Sequence, residues 1–564
     1  MSDEAKPGKR RYFRCNDDFP DCEFARTGKP VCVEPGEQFA CPYKRPRCAE
    51  RATEAPRSIV PPWAWKAAVA TAAVLLLAWM RWPDSSPKGP KKAVVGVITP
   101  KPLPTATPAP TLPPPTPQPS TPTPPPEIAA RTILRLQGPE ALTSDLLPGL
   151  IEAFLRKEGL TDVETKQDTA TRTRIVRGMR AGASEAEAIE IRSAREQDAF
   201  SRLAKGENDF AVTFRAPTAE EETRMSGIVD ANSSACAHVL ALDAAAIIVQ
   251  QGHAVKGLTT AQLDAIWKAQ TDNWSALGGS QTPIHLHLLD DTNPHNELIP
   301  AFLRKHLVMP GRIHRHSSPK ALSDAVAGVP DAIGIVPMRY AAPAGALAVK
   351  PGDEAQLLIP SAFSVATEDY AFSRRILLYN ASRHGPVVSQ FLRFIASTEG
   401  QDTVAKLGYA DQNLRPRTDI LGDEYRNAMP PELAERVTGA QRLSVNFRFA
   451  TGSSVLDMKA AADIDRVAPR LAEQDMRGKE VLLAGFADSR GGDAVNVPLS
   501  VDRSRAVSAK LQERGVPVAS SIGLGSQRPV APNTDETGWE KNRRVEIWLL
   551  DVKPSQPASK KKLK

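Results

Sequence analysis

Residues 107–126 read TPAPTLPPPTPQPSTPTPPP. Proline fixes φ and carries no amide hydrogen, so this stretch can join neither a helix nor a sheet. It is expected to run as polyproline II, with no core of its own. The chain is therefore cut into parts that fold separately on either side. Its 564 residues, with 50 prolines among them, are too many for one globular core. The whole stiff segment, residues 83–127, is expected to reach on the order of 100 Å.

Before the linker lies the apolar run WAWKAAVATAAVLLLAWMRW, residues 63–82. Its uninterrupted centre, 67–80, is short for a full span. Lys66 and Arg81 can snorkel, and Trp63, Trp65, Trp79 and Trp82 stand where interfacial aromatics belong. This predicts one membrane helix within residues 58–82. A cleaved signal peptide would stand at the chain start, before a small-residue cleavage site. Lys44, Arg45, Arg47, Arg51 and Arg57 precede the run, while Lys88, Lys91, Lys92 and Lys101 follow it. That balance favours a cytoplasmic N-terminus only slightly.

Residues 1–57 hold Cys15, Cys22, Cys32, Cys41 and Cys48 and no histidine. So short a head cannot build an adequate core unaided. In a reducing cytoplasm, four thiolates around zinc are a better staple than disulfides. No C-x-x-C is present, so a thiol-rich head without metal stays open. The net charge of +7 is small, and part of it sits in the basic tail, residues 553–564. No nucleic-acid partner is expected from it.

Residues 128–421 alternate strand and helix patterns. RTILRLQG, DFAVTF, AAIIVQ, PIHLHLL and AIGIVP read as strands; LLPGLIEAFLRKEG, TTAQLDAIWKA and VVSQFLRFIAST read as helices. The class is α/β. From Leu443 the alternation restarts, with a strand LSVNFRFA, a helix from Met458 to Glu473, a strand EVLLAGFA, a helix from Asn496 to Arg514, and strands SSIGLG and RRVEIWLL.

Asp488 follows EVLLAGFA in a glycine-rich turn, and Arg503 stands fifteen positions on. Leu499, Arg503 and Val507 share one helix face, and Asn496 is expected to cap that helix. A carboxylate can hold an ammonium and a guanidinium can fork a carboxylate, so the two suit a zwitterion. Spacing alone equally allows them to pair with each other.

The pieces FRFATGSSVL, GFADSRG, NVPLSVDRSRAV, GLGSQRP and NRRVEI occur in order, and residues 440–552 resemble the OmpA-like peptidoglycan-binding domain. The resemblance implies an α+β domain whose Asp488 and Arg503, with Asn496 and Arg543, hold the diaminopimelate of the peptidoglycan stem peptide without covalent chemistry. Ala487 and Ser504 replace the usual threonine and alanine. A periplasmic wall domain and one span imply an inner-membrane protein with its N-terminus cytoplasmic.

GPEALTSDLLPGLIEAF, AFSRLAKGENDFAVTFRAPTAEE and the stretch 239–279 resemble periplasmic substrate-binding proteins of the phosphate type. This implies two α/β lobes closing on a ligand, with Thr143, Ser144, Thr213 and Arg215 as the candidate anion-binding residues. Helix capping by Thr143 or Ser144 is the plainer alternative. A Ser-Gly-Thr turn is replaced by LLDDTNPHNELIPAF, and Phe214 stands where an aspartate is expected. Both departures argue against phosphate and leave another small anion, or a protein, as partner. His285 and His287 share a strand face, and His295 with Asp290 or Asp291 is a candidate to join them around a metal. Cys236 reads as buried rather than nucleophilic.

No G-x-S-x-G or H-E-x-x-H is present. The expectation is a non-enzymatic envelope protein that senses a ligand through its middle module, or else a scaffold whose middle module binds a protein.

Overall fold

A computed structural model describes residues 11–14, 31–33 and 53–54, and residues 130–551 apart from 305–311, 353–354, 418–428, 450–452, 474–475, 477 and 534–535. The chain divides into two units, Met1–Pro124 and Pro125–Lys564. In the first, Arg11–Arg14 pairs antiparallel with both Val31–Val33 and Thr53–Glu54. The cysteine side chains expected to hold zinc, the expected membrane span, the proline linker and the basic tail lie outside the described residues. Among the described residues, no helix is long and apolar enough to cross a membrane.

The second unit opens with β1 (Ala130–Gly138) and α1 (Glu140–Lys157). α1 starts earlier than the apolar pattern predicts and carries Pro148 inside it; Gly159 follows its end at φ 83°, the left-handed turn expected there. β2 (Leu160–Asp168), β3 (Thr173–Arg180) and β4 (Ala186–Ser193) form an antiparallel meander, and β4 lies parallel to β1. α2 (Glu196–Ala204) leads to β5 (Phe210–Thr213). Then come β6 (Ala237–Val249), β7 (His285–Leu289), β8 (Ile313–His316), β9 (Ala332–Pro337), α3 (Ala362–Ala366), β10 (Ser373–Asn380) and α4 (Pro386–Ala396). These strands lie in one sheet in the order β8-β7-β9-β6-β10-β5-β1-β4-β3-β2.

One sheet carries two cores. Leu136, Leu146, Phe154, Phe210 and Phe391 fill the first; Leu263, Trp267, Trp274, Leu286 and Ile333 fill the second. β6 crosses between them, with Leu240 in the first core and Leu242 in the second. Its near-continuous burial explains its mostly apolar sequence, AHVLALDAAAIIV, interrupted by His238 and Asp243. β10 runs beside it, and their register shifts between Ile376 and Leu377. The expected pair of lobes is therefore present, joined through β6 and β10.

Four histidines line the far edge. His285 Nδ1 lies 3.0 Å from His314 Nε2, and His287 Nδ1 lies 3.0 Å from His316 Nε2. The rings stack in the order 285, 314, 287, 316, with centroids 5.3, 4.7 and 5.1 Å apart. His295 does not join them, and Asp291 pairs with Arg315 at 2.8 Å. Among the described residues, no three His, Cys, Asp or Glu side chains are placed to share a metal ion.

The second sheet is ordered β11-β12-β15-β13-β14: β11 (Pro416–Arg417), β12 (Gln441–Arg448), β13 (Lys479–Gly485), β14 (Val518–Gly523) and β15 (Arg544–Asp551). Its helices are α5 (Met458–Ala472), α6 (Asp493–Gln512) and α7 (Glu536–Asn542). β11, within the range 128–421 read as the middle module, pairs antiparallel with β12 at the edge of this sheet. A Cβ on Gly485 would lie 2.1 Å from the Ser500 carbonyl oxygen, so only glycine lets α6 approach β13 so closely.

Leu443, Val445 and Phe447 of β12 face the core of this second sheet. The opposite face, with Arg442, Asn446 and Arg448, meets the middle module. Arg442 pairs with Asp369 at 2.8 Å, Asn446 Nδ2 donates to Asp369 and to the Thr367 carbonyl, and Arg448 pairs with Glu368 at 3.3 Å. Glu546 of β15 lies among Arg442, Arg528 and Arg544 at 3.4, 3.3 and 2.9 Å. All these side chains are buried. Burial pushes the Glu368 carboxyl up, but Arg375, Arg448 and Lys459 outweigh it and hold it at about 2. Glu546 is likewise held well below the carboxylate range by its three arginines.

Removing the charge of Glu546 would leave buried arginines uncompensated. Glu546→Gln is expected to cost about 3–5 kcal/mol, read as a lower urea midpoint of the full chain; a wild-type midpoint would contradict this. The histidine column yields a pH dependence. Burial, with His314, His316 and His285 as like-charged neighbours, holds His287 at about 4 against a weaker pull from Asp331. Burial and His314 push His316 down against Asp290. A histidine with a lowered folded pKa stabilises the fold above about 6.5, and that contribution is lost as the pH falls. His287→Phe is expected to flatten the fall in Tm between those two values, and an unchanged slope would refute the assignment.

Candidate functional site

The first site is the cleft between the lobes. Asp145 of α1 stands on the first lobe; Arg339 and Tyr340 follow β9 on the second. Arg339 Nη2 lies 2.5 Å from Asp145 Oδ2, and the Tyr340 hydroxyl donates to the same oxygen at 3.2 Å. His295 Nε2 is 3.5 Å away. Burial holds His295 at about 4, despite Asp145, so it stands there as a neutral imidazole. Arg339 also reaches Asp243 of β6 at 3.5 Å and lies over the Tyr409 ring at 4.5 Å. Burial raises the Asp145 carboxyl, but Arg339 outweighs it and the net shift is downward. At fully buried Asp243, burial wins over Arg339 and Arg374 and the shift is upward.

Nearby, the Arg374 guanidinium stacks 3.4 Å from the centroid of Phe214, and its Nη1 donates to the Glu297 carbonyl at 3.0 Å. Glu196, at the start of α2, accepts from the Phe214 amide at 2.5 Å and pairs with Arg215 at 2.9 Å.

The four residues expected to bind an anion are engaged within the chain. Thr143 and Ser144 are the fourth and fifth residues of α1 and do not cap it; both hydroxyls reach the Glu140 carbonyl, and Thr143 also meets the Ser193 hydroxyl at 2.7 Å. Thr213 donates to the Arg215 carbonyl. Arg215 holds Glu221 through two nitrogens, at 2.6 and 2.9 Å. Cys236 is buried, as expected, 3.2 Å from the Ser382 hydroxyl.

The second site lies at the end of β13. Asp488 and Arg503 do not pair with each other. Asp488 accepts from the Arg490 amide, from Arg490 Nε and Nη2 at 3.0 Å each, and from Arg543 Nη1 at 3.2 Å. Arg543 is tied in turn to Glu536 at 2.8 Å. Arg503 is fully buried under the loop before α5. Its Nε donates to the Ser453 carbonyl at 3.3 Å and its Nη1 to the Phe486 carbonyl at 3.5 Å; Nη2 has no hydrogen-bond partner among the described residues. Burial first, then Arg543 and Arg490, lower its pKa to about 10 against the pull of Asp488. A guanidinium with a spare donor can take a further oxygen partner.

Asn496 does not cap α6. Gly492 precedes the helix, and Asn496, buried within its first turns, donates to the Asp488 carbonyl at 2.9 Å. It positions Asp488. Spacing did not reveal Arg490, a third exposed and stacked 4.2 Å from the Trp539 centroid. Val455, Val495 and Val497 stand exposed on the segments that carry this site.

Comparison with known proteins follows this division. The OmpA family profile matches residues 448–543, and a PBP superfamily domain profile matches residues 160–399. The peptidoglycan-binding protein ArfA of Mycobacterium tuberculosis is 41% identical over 87 residues, 15% of this chain and 26% of that protein. A peptidoglycan-associated lipoprotein of Pseudomonas aeruginosa is 36% identical over 110 residues, 19% of this chain and 64% of that one. The chain thus spans about a quarter of the first relative and under two thirds of the second. The crystal structure of an ABC-type phosphate transport receptor from Vibrio cholerae aligns with 49% of this chain and 98% of that one, at 19% identity and a TM-score of 0.37. Residues 448–543 are an OmpA family domain, and residues 160–399 belong to a PBP superfamily domain in the same chain.

Proposed function

We propose that the chain is a non-catalytic envelope anchor that grips peptidoglycan through its OmpA-like domain. The observation carrying this reading is Arg503, a buried cation with an unpartnered nitrogen beside the carboxylate of Asp488. A carboxylate of the diaminopimelate residue would complete Arg503, and its ammonium would meet Asp488. Arg490 is the exposed partner that such an ammonium displaces. The relatives named for peptidoglycan support this reading. The apolar run at 63–82 would hold the other end in the inner membrane, with the N-terminus cytoplasmic, and four of the five head cysteines are the proposed zinc ligands.

Ligand sensing and scaffolding diverge at the cleft. Its cationic and amide donors already face Asp145, Asp243 and Glu196. A second anion would have to displace these built-in carboxylates. The cleft therefore favours the scaffold reading, in which the middle module binds a protein.

Arg503→Ala and Asp488→Asn are each expected to weaken co-sedimentation of the full chain with purified peptidoglycan by about 2–5 kcal/mol, the usual cost of losing one partner of a buried charge pair. Arg490→Ala should retain it. Equal sedimentation of all variants would sink the reading. For the cleft, calorimetry with inorganic phosphate should show no binding tighter than about 10 μM, and a tighter site would restore the sensor.

A further inference from the structure

The OmpA-like domain touches both lobes of the middle module. On the second lobe it holds Gln356, Glu368 and Asp369 through Arg528, Arg448 and Arg442. Lys541 of α7 donates to the carbonyls of Ala371 and Ser373 at 3.0 and 3.2 Å, where β10 begins. On the first lobe, α5 places Met458 against the cluster of Phe200, Leu377 and Tyr379. Arg466 donates to the Gln412 carbonyl at 2.7 Å, and the Gln412 side chain donates to the Val239 carbonyl of β6. Between these contacts, Arg375 of β10 pairs with Asp457, the cap of α5, at 2.8 Å.

Two-lobed modules move at a few hinge residues in the segments that join the lobes. Here those segments are β6 and β10, and the OmpA-like domain is fastened to both. The preceding residue, Arg374, stacks on Phe214 in the cleft, while Arg375 faces the OmpA-like domain. Successive residues of a strand point to opposite sides, so one strand touches both places.

We propose that the OmpA-like domain is an internal brace across the hinge: the Asp145–Arg339 latch and the seam at Arg375–Asp457 hold the lobes at one angle, and each is weakened when the other is broken. Opening the cleft would separate contacts on β6 from those on Gln356 and Glu368, which no rigid domain can follow. The two sites are then thermodynamically linked, and the linkage is reciprocal.

Hydrogen–deuterium exchange on the full chain, read by mass spectrometry, tests this. Asp145→Asn breaks the latch, and Asp457→Asn removes the carboxylate that ties Arg375 to α5 while keeping a capping side chain; Arg375 keeps Glu368 at 2.9 Å. Asp145→Asn is expected to speed exchange in 441–448 and 536–542 by about tenfold, within the range of ordinary inter-site coupling. Asp457→Asn should do the same in 140–150 and 338–341. Asp324→Asn, at an exposed pair with Lys320, should change neither. Tyr340→Phe, which removes one hydrogen bond from the latch, gives a milder version should Asp145→Asn unfold. Effects confined to the mutated side overturn the brace. Exchange decides this whatever the peptidoglycan assay returns, so failure of the anchor reading is separately visible.

Discussion

Glu546 lies among three arginines on the face of β15 turned away from the core of its own sheet. Asp369 and Glu368 reach the same layer from the loop after α3, where they meet Arg442 and Arg448. Taking so many charges out of water is unfavourable unless each finds a partner. The carboxylates therefore decide whether the two sheets can meet at all. Glu546 belongs to the OmpA-like domain, whereas Glu368 and Asp369 belong to the middle module. Neither component supplies the balance alone, and that is why the seam joins two folds into one compact unit.

This seam also marks where sequence reasoning stops. In β12, Leu443, Val445 and Phe447 alternate with polar residues, and alternation normally means one wet face. The strand and its core side were legible; the covering of Arg442, Asn446 and Arg448 was not, because nothing local distinguishes a solvated arginine from one meeting a distant aspartate. The first strand of the meander, β2, is hidden in the sequence for a related reason. LTDVETKQD is an exposed edge with few apolar residues, so it lacks the period that exposes a strand. β6 and β13 were readable because burial forces their apolar runs.

The site residues divide the same way. Asp488 and Arg503 were found through motifs, and the structure separates them: one is tied to Arg490 and Arg543, the other to carbonyl oxygens. Asp145 and Arg339 are nearly two hundred residues apart and left no spacing signal, yet they define the cleft. Thr143, Ser144, Thr213 and Arg215 are donors by residue type, but each is already committed within the chain. Donor type could be read from the sequence; donor availability depends on neighbours brought in by the fold.

The fastening of α5 and α7 to β6 and β10 has a mechanical meaning. Arg543, which donates to Asp488, is one residue removed from Asn542 and two from Lys541, which holds the start of β10. Tension applied there would reach the start of β10 through Lys541 and its carbonyl partners. Buried ion pairs resist small displacement stiffly and give way over a short distance. Such a joint transmits a steady load unchanged and yields abruptly above a threshold, more like a shear pin than a spring.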